Sequence, residues 1–238
     1  MYFKNKKTVA IIQARISSTR FPNKIFSELG EKPALFNVID QCLASKVDKV
    51  ILAIPADQCN HFSQVENTFS DNKNFKVWKG SEENVLKRFQ ESASDVEADI
   101  IVRITSDCFL INSDHIDESL TFFKNSDLDY INNSTVDRVL SEEIPDDYMS
   151  DTDTPDGFNI EVFTRQSLED AYKNASSKYD IEHVTPWIKR NKNCSVFNTG
   201  KISLKGKFSV DTPEDLEIVR ALYTLIKANR INFETQVD

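Results

Sequence analysis

The sequence predicts an α/β fold built on a mainly parallel sheet. Short apolar runs typical of buried strands alternate along the chain with segments whose apolar residues recur at helical spacing. This alternation is typical of βαβ units, in which a helix connects two parallel strands. Because no linker or change of composition divides the chain, we expect a single domain over residues 1–238.

The first half of the chain contains four predicted strands and three predicted helices. The run TVAIIQA predicts the first strand, and the next segment carries Leu35, Val38, Ile39 and Cys42 on one helical face. The same reasoning predicts strands over Thr8–Ala14, Lys49–Ile54, Phe75–Trp78 and Asp99–Ile104, and helices over Ala34–Ala44, Glu83–Ala93 and Ser113–Phe123.

The second half is less regular. Residues 136–156 are rich in Asp, Glu, Pro and Ser and predict a long surface loop or flap. The alternating segment Lys207–Val210 predicts a strand, and Pro213–Ile226 predicts a helix. Thr212 suits the N-cap of that helix, and Asp215 completes a variant of the capping box, which leaves the Asp211 carboxylate without a capping role.

Composition excludes several classes of protein. A net charge of −9 argues against a duplex-DNA partner, which needs a basic face. No apolar run approaches the roughly 20 residues of a membrane span, and Val9–Ile12 is too short for a signal-peptide core. The four cysteines form no CxxC pair. We therefore expect a cytoplasmic protein with reduced thiols that does not bind nucleic acid or membranes.

The positive charge is concentrated at the amino-terminal end. Six of the 29 Lys and Arg residues precede the first acidic residue, Glu28. The loop RISSTRFPNK, residues 15–24, begins where the first strand ends and also carries three consecutive hydroxyl groups. Ligands of open parallel sheets bind at the carboxyl ends of the strands, and Arg and Lys suit a polyphosphate. We expect a phosphate-binding loop there, with Arg15 and Lys24 facing solvent; a solvated basic face is the alternative.

Two aspartates follow predicted strands. Asp107 lies just past the strand Asp99–Ile104, and Asp211 lies just past Lys207–Val210. If both strands run parallel to the first, both carboxylates lie at the edge of the cationic loop and can hold the divalent metal that a triphosphate requires. The alternatives are a turn aspartate for Asp107 and a second capping residue for Asp211.

Common nucleotide-binding and hydrolase motifs are missing from the sequence. It contains no G-x-x-x-x-G-K-[ST], no G-x-G-x-x-G and no G-x-S-x-G, which argues against a P-loop enzyme, a simple dinucleotide-binding fold and an esterase. Asp151-x-Asp153 resembles the metal motif of glycosyltransferases, but it lies in the irregular acidic segment.

Six blocks of sequence stand out, in this order along the chain: IIQARISSTRFPNK (11–24), GSEENVLKR (80–88), VRITSDCFL (102–110), PDGFNIEVF (155–163), EHVTPW (182–187) and VDTPEDL (210–216). In this order they resemble the cytidylyltransferase family of spore-coat polysaccharide biosynthesis protein F. More distantly they are similar to 3-deoxy-manno-octulosonate and acylneuraminate cytidylyltransferases. The sequence departs from the family pattern at Asn23, Ser106, Phe109 and Asn159.

The resemblance implies a Rossmann-like three-layer α/β/α nucleotide-diphospho-sugar transferase fold and a CTP-dependent reaction. CMP would pass from CTP to an acidic sugar with release of pyrophosphate, for surface polysaccharide or glycoconjugate biosynthesis, in a homodimer that uses Mg²⁺. The implied catalytic residues are Arg15, Lys24, Asp107 and Asp211, the last two as metal ligands. The implied nucleotide-binding residues are Ala14, Arg15, Ser18, Arg20, Lys24, Gly80 and Ser81, and the acceptor-side residues are Arg103, Glu161 and His183.

Other activities stay open at this point. A phosphorylated polyol or a phosphonate could replace the acidic sugar, because either would undergo the same chemistry at the α-phosphorus. A glycosyltransferase of similar fold would use Asp151-x-Asp153 and a preformed nucleotide sugar. A scaffold protein would bind CTP, if at all, without turnover.

Overall fold

The computed structural model describes residues 5–133, 154–197 and 206–228. The strands are β1 (Thr8–Gln13), β2 (Glu28–Leu29), β3 (Lys32–Pro33), β4 (Lys49–Pro55), β5 (Phe75–Gly80), β6 (Ile100–Thr105), β7 (Tyr130–Asn132), β8 (Glu161–Thr164) and β9 (Cys194–Val196). The α-helices are α1 (Ala34–Ala44), α2 (Ser63–Thr68), α3 (Val85–Asp95), α4 (Ser113–Lys124), α5 (Arg165–Asn174), α6 (Lys178–His183), α7 (Pro186–Asn191) and α8 (Pro213–Lys227). Short 3₁₀ helices cover Lys24–Phe26 and Ala56–Phe62.

A mixed, mainly parallel sheet forms the centre of the fold. Among the described residues, seven strands pair in the order β5-β4-β1-β6-β8-β7-β9. β5, β4, β1 and β6 are mutually parallel, whereas β8 runs antiparallel to both β6 and β7, and β9 is parallel to β7. A central parallel strand is buried on both faces, which explains why β1 is apolar along almost its whole length.

Helices cover both faces of the sheet, giving three layers. Ala10 and Ile12 of β1 pack with α1, α4 and α8 on one face. Val9 and Ile11 point to the other face and pack with α3, α5 and α7. Because side chains alternate between the two faces along a strand, β1 contributes residues to two separate hydrophobic cores. This arrangement confirms the predicted fold class.

Most predicted elements lie within two residues of their observed bounds. The helix predicted over Ala34–Ala44 is α1, and Thr212 and Asp215 form the capping box of α8. β4 extends one residue past its predicted end and includes Pro55. The sequence pattern did not predict β7, β8 or α5. β7 and β8 are only three and four residues long and carry little pattern.

The prediction of a strand over Lys207–Val210 is wrong. In that segment Lys207 forms an isolated parallel bridge with Asp156, and no strand is present within described residues 206–210. The alternation of apolar and polar residues in this segment has another cause. Phe208 and Val210 are buried in the core, while Ser209 Oγ donates a hydrogen bond to Asp156 Oδ2 at 2.6 Å.

Most of the predicted loop over residues 136–156 lies outside the described residues, and so does the Asp151-x-Asp153 pair. In the described ranges, none of the helices combines the length and apolar character needed to cross a membrane.

Candidate functional site

The cationic loop leaves the sheet at the carboxyl end of β1, where the order of the strands reverses. From β1 the sheet continues through β4 to β5 on one side and resumes with β6 on the other. Gln13 and Thr105 are register partners at the ends of β1 and β6, and both line the same cleft. Such a point, where neighbouring connections leave in opposite directions, is the usual ligand site of an open α/β sheet.

Two side chains missed by the sequence analysis hold the loop. Ile16 N–H donates to Gln58 Oε1 at 2.9 Å, and Gln58 Nε2 donates to Glu82 Oε1 at 2.7 Å. Ser17 Oγ donates to the same Glu82 oxygen at 2.6 Å. The loop ends at Asn23, whose φ of 58° lies in the left-handed region that Asn tolerates. Of the three consecutive hydroxyls, Ser17 is therefore engaged in fixing the loop.

Lys24 connects the loop to both aspartates. Its Nζ lies 3.1 Å from Asp107 Oδ2 and 3.1 Å from Asp211 Oδ1, and it donates to Val210 O at 2.5 Å. The expectation that Lys24 faces solvent is wrong. Its side chain is only 10% exposed, because the ammonium lies between two carboxylates and a carbonyl.

Asp211 lies among three cations. Besides Lys24, Arg20 Nη2 lies 2.9 Å from Asp211 Oδ1, and Lys207 Nζ lies 2.9 Å from Oδ2. Burial alone would raise the pKa of Asp211, but the hydrogen bonds from Lys207 and Lys24 outweigh it and lower the pKa below the usual range. The carboxylate is therefore ionised at neutral pH. Its backbone N–H donates to Asp215 Oδ2, so the capping box anchors this residue.

The chain brings Asp211 beside Asp107 through backbone contacts instead of sheet pairing. Val210 N–H donates to Asp107 O at 3.2 Å, and Phe208 N–H donates to Asp156 O at 2.8 Å. Gly157 makes this approach possible. It has a φ of +101°, and a Cβ there would lie 2.3 Å from the Phe208 carbonyl carbon. A glycine at this point is therefore a requirement of the site.

The loop and the aspartates enclose a polar cleft of about 320 Å³. It is lined by Gln13, Arg15, Ser17, Ser18, Thr19, Arg20, Lys24, Thr105, Ser106, Asp107 and Asp211. Arg15 is exposed, so its guanidinium can reach a ligand in the cleft. Cationic, hydroxyl and carboxylate groups on one cleft suit a metal–polyphosphate complex.

Gly80 ends β5 and Ser81 follows it, and neither residue lines the cleft; their turn contacts the cationic loop through the next residue, Glu82. Ser81 O accepts a hydrogen bond from Arg88 Nη1 at 2.5 Å, and a Cβ on Gly80 would lie 2.9 Å from Arg88 Cγ. Burial, reinforced by the nearby Arg15 charge, lowers the pKa of Arg88 to about 10. Arg88 therefore supports the turn that carries Glu82. Ala14 is buried, and its N–H is already used by Ala53 O.

Arg103 and Glu161 form a buried ion pair behind the cleft. They are register partners on β6 and β8, and Arg103 Nη1 donates to Glu161 Oε2. Arg103 Nη2 also donates to Gln13 Oε1 at 3.1 Å, which connects the pair to the cleft wall. Glu161 Oε1 accepts from Tyr130 at 2.6 Å and from Thr185 at 2.7 Å, so the carboxylate is surrounded by protein donors.

His183 lies at the end of α6, and its ring centroid is 4.3 Å from that of Tyr179. Loss of solvation lowers the pKa of His183. Arg103 and Arg15 act in the same direction, whereas Glu182 opposes them. The imidazole is therefore neutral at pH 7, close enough to Arg103 and Arg15 to share their electrostatic environment.

Asp107 and Asp211 suit a metal that also binds phosphate. In the described ranges no group of three His, Cys, Asp or Glu side chains could hold a metal alone. Mg²⁺ is commonly bound by one or two carboxylates, with substrate phosphates and water completing its shell. Two carboxylates that already hold an ammonium between them match this donor set.

Three of the residues that depart from the family pattern are accommodated by contacts with their neighbours. Ser106 N–H donates to Gln13 O at 3.0 Å, so Ser106 extends the contact between β1 and β6. Phe109 is buried in the core, and Asn159 Nδ2 lies 3.3 Å from Asp156 Oδ1. Sequence reasoning assigned no role to Gln58, Glu82 or Lys207. For Lys207, the i,i+4 spacing from Asp211 was a signal that it did not use.

The chain has a Rossmann-like nucleotidyltransferase fold, and the cationic loop lies with the two carboxylates at the switch point of its sheet. A cytidylyltransferase family model matches residues 9–233. The chain belongs to this family, and it is therefore a CTP-dependent nucleotidyltransferase.

Two relatives cover most of the chain. It is 32% identical over 234 residues to the uncharacterized protein MJ1063 of Methanocaldococcus jannaschii, covering 97% of this chain and 83% of that protein. It is 26% identical over 227 residues to the spore coat polysaccharide biosynthesis protein SpsF of Bacillus subtilis, covering 90% of this chain and 85% of SpsF.

Two solved structures share the fold. A cytidylyltransferase from Leptospira borgpetersenii superposes with a TM-score of 0.75 at 22% identity, covering 98% of this chain and 99% of the other. A CMP:2-keto-3-deoxy-manno-octonic acid synthetase complexed with CTP superposes with a TM-score of 0.66 at 20% identity, covering 95% of this chain and 100% of the other.

Proposed function

We propose that this protein transfers CMP from CTP to an acidic sugar, a ulosonic or nonulosonic acid, for surface polysaccharide or glycoconjugate biosynthesis. The supporting observation is the position of Lys24 Nζ, 3.1 Å from both Asp107 and Asp211 at the end of the cationic loop. It joins phosphate-binding and metal-binding groups in one cleft. The relatives with polysaccharide and octonic acid names support the sugar acceptor.

The proposed reaction is an in-line displacement at the α-phosphorus. An acceptor hydroxyl oxygen forms the new bond to phosphorus while the bond to the bridging oxygen breaks, and that electron pair leaves with pyrophosphate. The acceptor proton is released. The protein's contribution is positioning and neutralisation of charge. Arg15, Ser18, Arg20 and Lys24 would contact the phosphates, because all four line the cleft.

Mg²⁺ is the proposed metal, with Asp107 and Asp211 as its protein ligands. When bound, it would neutralise phosphate charge and favour attack at the α-phosphorus. The position of Asp211 supports this role, because its carboxylate lines the same cleft as Asp107 and Arg15.

The remaining residues divide between nucleoside and acceptor. Ala14, Gly80 and Ser81 would lie on the nucleoside side, since the turn after β5 adjoins the loop through Glu82. His183 would contact the acceptor, and its neutral imidazole can accept or donate a hydrogen bond. The supporting contacts of Arg103 and Glu161 favour a role in shaping the acceptor side of the cleft through Gln13.

We further propose that residues 1–238 act as one cytidylyltransferase domain, that the protein is a cytoplasmic homodimer, and that it has no nucleic-acid or membrane partner. The family resemblance supports the dimer, and the net charge of −9 argues against nucleic acid. Sedimentation equilibrium tests the dimer directly, and a mass of 27.2 kDa at micromolar concentration would contradict it.

An acceptor panel tests the reaction. The protein is incubated with CTP, Mg²⁺ and, separately, a ulosonic acid, a nonulosonic acid, a polyol phosphate or a phosphonate, and pyrophosphate release is measured. We expect release with a sugar acid. The variant Asp107→Asn should lower the rate of release by about 10²–10³, whereas the matched variant Asp114→Asn, on an exposed position of α4, should leave it unchanged.

The same panel separates the other activities. Release only with a polyol phosphate or phosphonate would contradict the sugar acid and retain the nucleotidyltransferase chemistry. Consumption of a preformed nucleotide sugar without pyrophosphate release would indicate a glycosyltransferase. CTP binding without turnover on any acceptor would indicate a scaffold protein.

A further inference from the structure

All three donors of the Lys24 ammonium have acceptors among the described residues. Nζ lies 3.1 Å from Asp107 Oδ2, 3.1 Å from Asp211 Oδ1 and 2.5 Å from Val210 O. An ammonium has three N–H groups and no acceptor, so this arrangement satisfies it completely. In this state Lys24 has no donor left for a phosphate, and its nitrogen occupies the space between the two carboxylates.

We infer that Lys24 acts as a substitute cation in the free protein and leaves the two carboxylates when metal and nucleotide bind together. The inference rests on the proposed function, because it uses the same carboxylates as metal ligands. A divalent cation placed between Asp107 and Asp211 would lie within about 3–4 Å of the ammonium, where like charges repel strongly at reduced dielectric. The metal and the ammonium therefore cannot share the site.

The displaced ammonium needs a new partner. Lys24 is nine-tenths buried, and a buried charge without a partner is costly. A triphosphate in the cleft supplies that partner, since the cleft that contains Lys24 also contains Arg15 and Ser18. A metal that binds alone would displace the ammonium without giving it a new anionic partner. A metal that binds with nucleotide would displace it while the triphosphate supplies that partner. The two ligands should therefore bind with positive coupling.

The chain lets the ammonium move without unfolding the loop. The backbone of Lys24 is fixed at both sides, since its N–H donates to Phe21 O at 3.4 Å and its carbonyl accepts from Ser27 N–H at 3.1 Å. The four-carbon stem is flexible, so the charge can change partners while the backbone stays in place. Lys24 is thus a positioning residue for the metal ligands before it becomes a phosphate contact.

Titration with Mn²⁺ in the absence of nucleotide tests the exchange, with free Mn²⁺ followed by electron paramagnetic resonance. The Lys24→Met variant should bind Mn²⁺ at least about tenfold more tightly than the wild type, within the usual range of coupling between sites. Lys32→Met is the matched control, because it removes the same charge from an exposed pair with Asp40 outside the cleft. It should leave the affinity unchanged.

Two further variants keep the test decisive. If Lys24→Met folds poorly, Lys24→Gln retains a donor for Val210 O and should show the same gain in affinity. Adding Asp107→Asn to either variant should remove the gain, which assigns the bound Mn²⁺ to this site. Equal Mn²⁺ affinity in the wild type and both Lys24 variants would overturn the inference, and so would a gain that survives Asp107→Asn.

The outcome is separable from that of the proposed function. If the wild type releases pyrophosphate from CTP but the Lys24 variants gain no Mn²⁺ affinity, the transferase activity stands and the exchange is refuted. If the gain appears but no acceptor supports turnover, the exchange stands and the proposed reaction is refuted.

Discussion

The Glu161→Gln variant is expected to destabilise the protein severely, although Glu161 lies behind the cleft. The carboxylate is buried, with Oε2 accepting from Arg103 and Oε1 accepting from Tyr130 and Thr185. Lys189 Nζ lies 3.2 Å from the same Oε1. A glutamine keeps the shape but removes the charge and presents an amide N–H to groups that are themselves donors.

The loss of unfolding free energy can be estimated from the two cations that Glu161→Gln would leave buried. Arg103 and Lys189 have side chains that are only 13% and 6% exposed, so both cations would stay buried after losing the negative charge of Glu161. Breaking a buried pair by removing one partner costs about 3–5 kcal/mol. A whole domain has a free energy of unfolding of about 5–15 kcal/mol, so the variant should lose a large share of its stability.

The assay is urea unfolding at pH 7, followed by tryptophan fluorescence, with Glu169→Gln as the matched control. Glu169 pairs with Arg165 across one helical turn of α5 at a partly exposed position. Such a pair contributes about 0.3–0.5 kcal/mol. We expect the loss in Glu161→Gln to exceed the control loss by at least about 2 kcal/mol. Equal losses of unfolding free energy in the two variants would refute the conclusion that the Glu161 carboxylate stabilises two buried cations.

The pH dependence supplies a second check. Burial alone would raise the pKa of Glu161, but Arg103 and Lys189 outweigh it and hold the pKa well below the usual range. A depressed folded-state pKa contributes stability above the unfolded value, about 4.3, and loses it as the pH falls towards the folded value. The stability difference between wild type and Glu161→Gln should therefore shrink below about pH 4.3. A difference that is constant with pH would contradict this.

Further predictions concern the cleft and its scaffold. Asp107→Ala or Asp211→Ala should lower turnover by about 10²–10³, as removal of a charge-stabilising group does elsewhere, and wild-type rates in both would contradict the metal assignment. Arg15→Ala should weaken CTP turnover while changing the free energy of unfolding by less than about 0.5 kcal/mol, because Arg15 is exposed; a large stability loss in a melting experiment would make it structural. Gly157→Ala should destabilise by at least about 2 kcal/mol, because its Cβ would collide with Phe208 and its φ is +101°; an unchanged melting temperature would contradict that contact.

The sequence predicted the core of the fold because β1, β4 and β6 are continuous apolar strands separated by amphipathic helices. Buried strands and helix stripes are local patterns, and α1 was recognised at its observed bounds. The short strands β7 and β8 were not predicted, because their pairing with neighbouring strands, and not a pattern in their own sequence, defines them. Long-range pairing leaves little trace in three or four residues.

The site likewise has features that local sequence patterns predict and features that depend on long-range contacts. The charge of the loop and the position of Asp107 after a strand were visible in the sequence, and they indicated the edge of the sheet where the loop and Asp107 do meet. Asp211 reaches that edge by another route than the one predicted, through backbone contacts of residues 206–210 with Asp107 and Asp156. Gln58 and Glu82 could not be anticipated, because their contacts join segments far apart in sequence.

A crystal structure of the protein with CTP and Mn²⁺ would show whether the cationic loop binds the triphosphate and whether Asp107 and Asp211 bind the metal. We expect an anomalous manganese peak within bonding distance of Asp107 and Asp211, with the triphosphate against Arg15 and Ser18. Nucleotide bound elsewhere, or manganese remote from both carboxylates while Lys24 still bridges them, would contradict it.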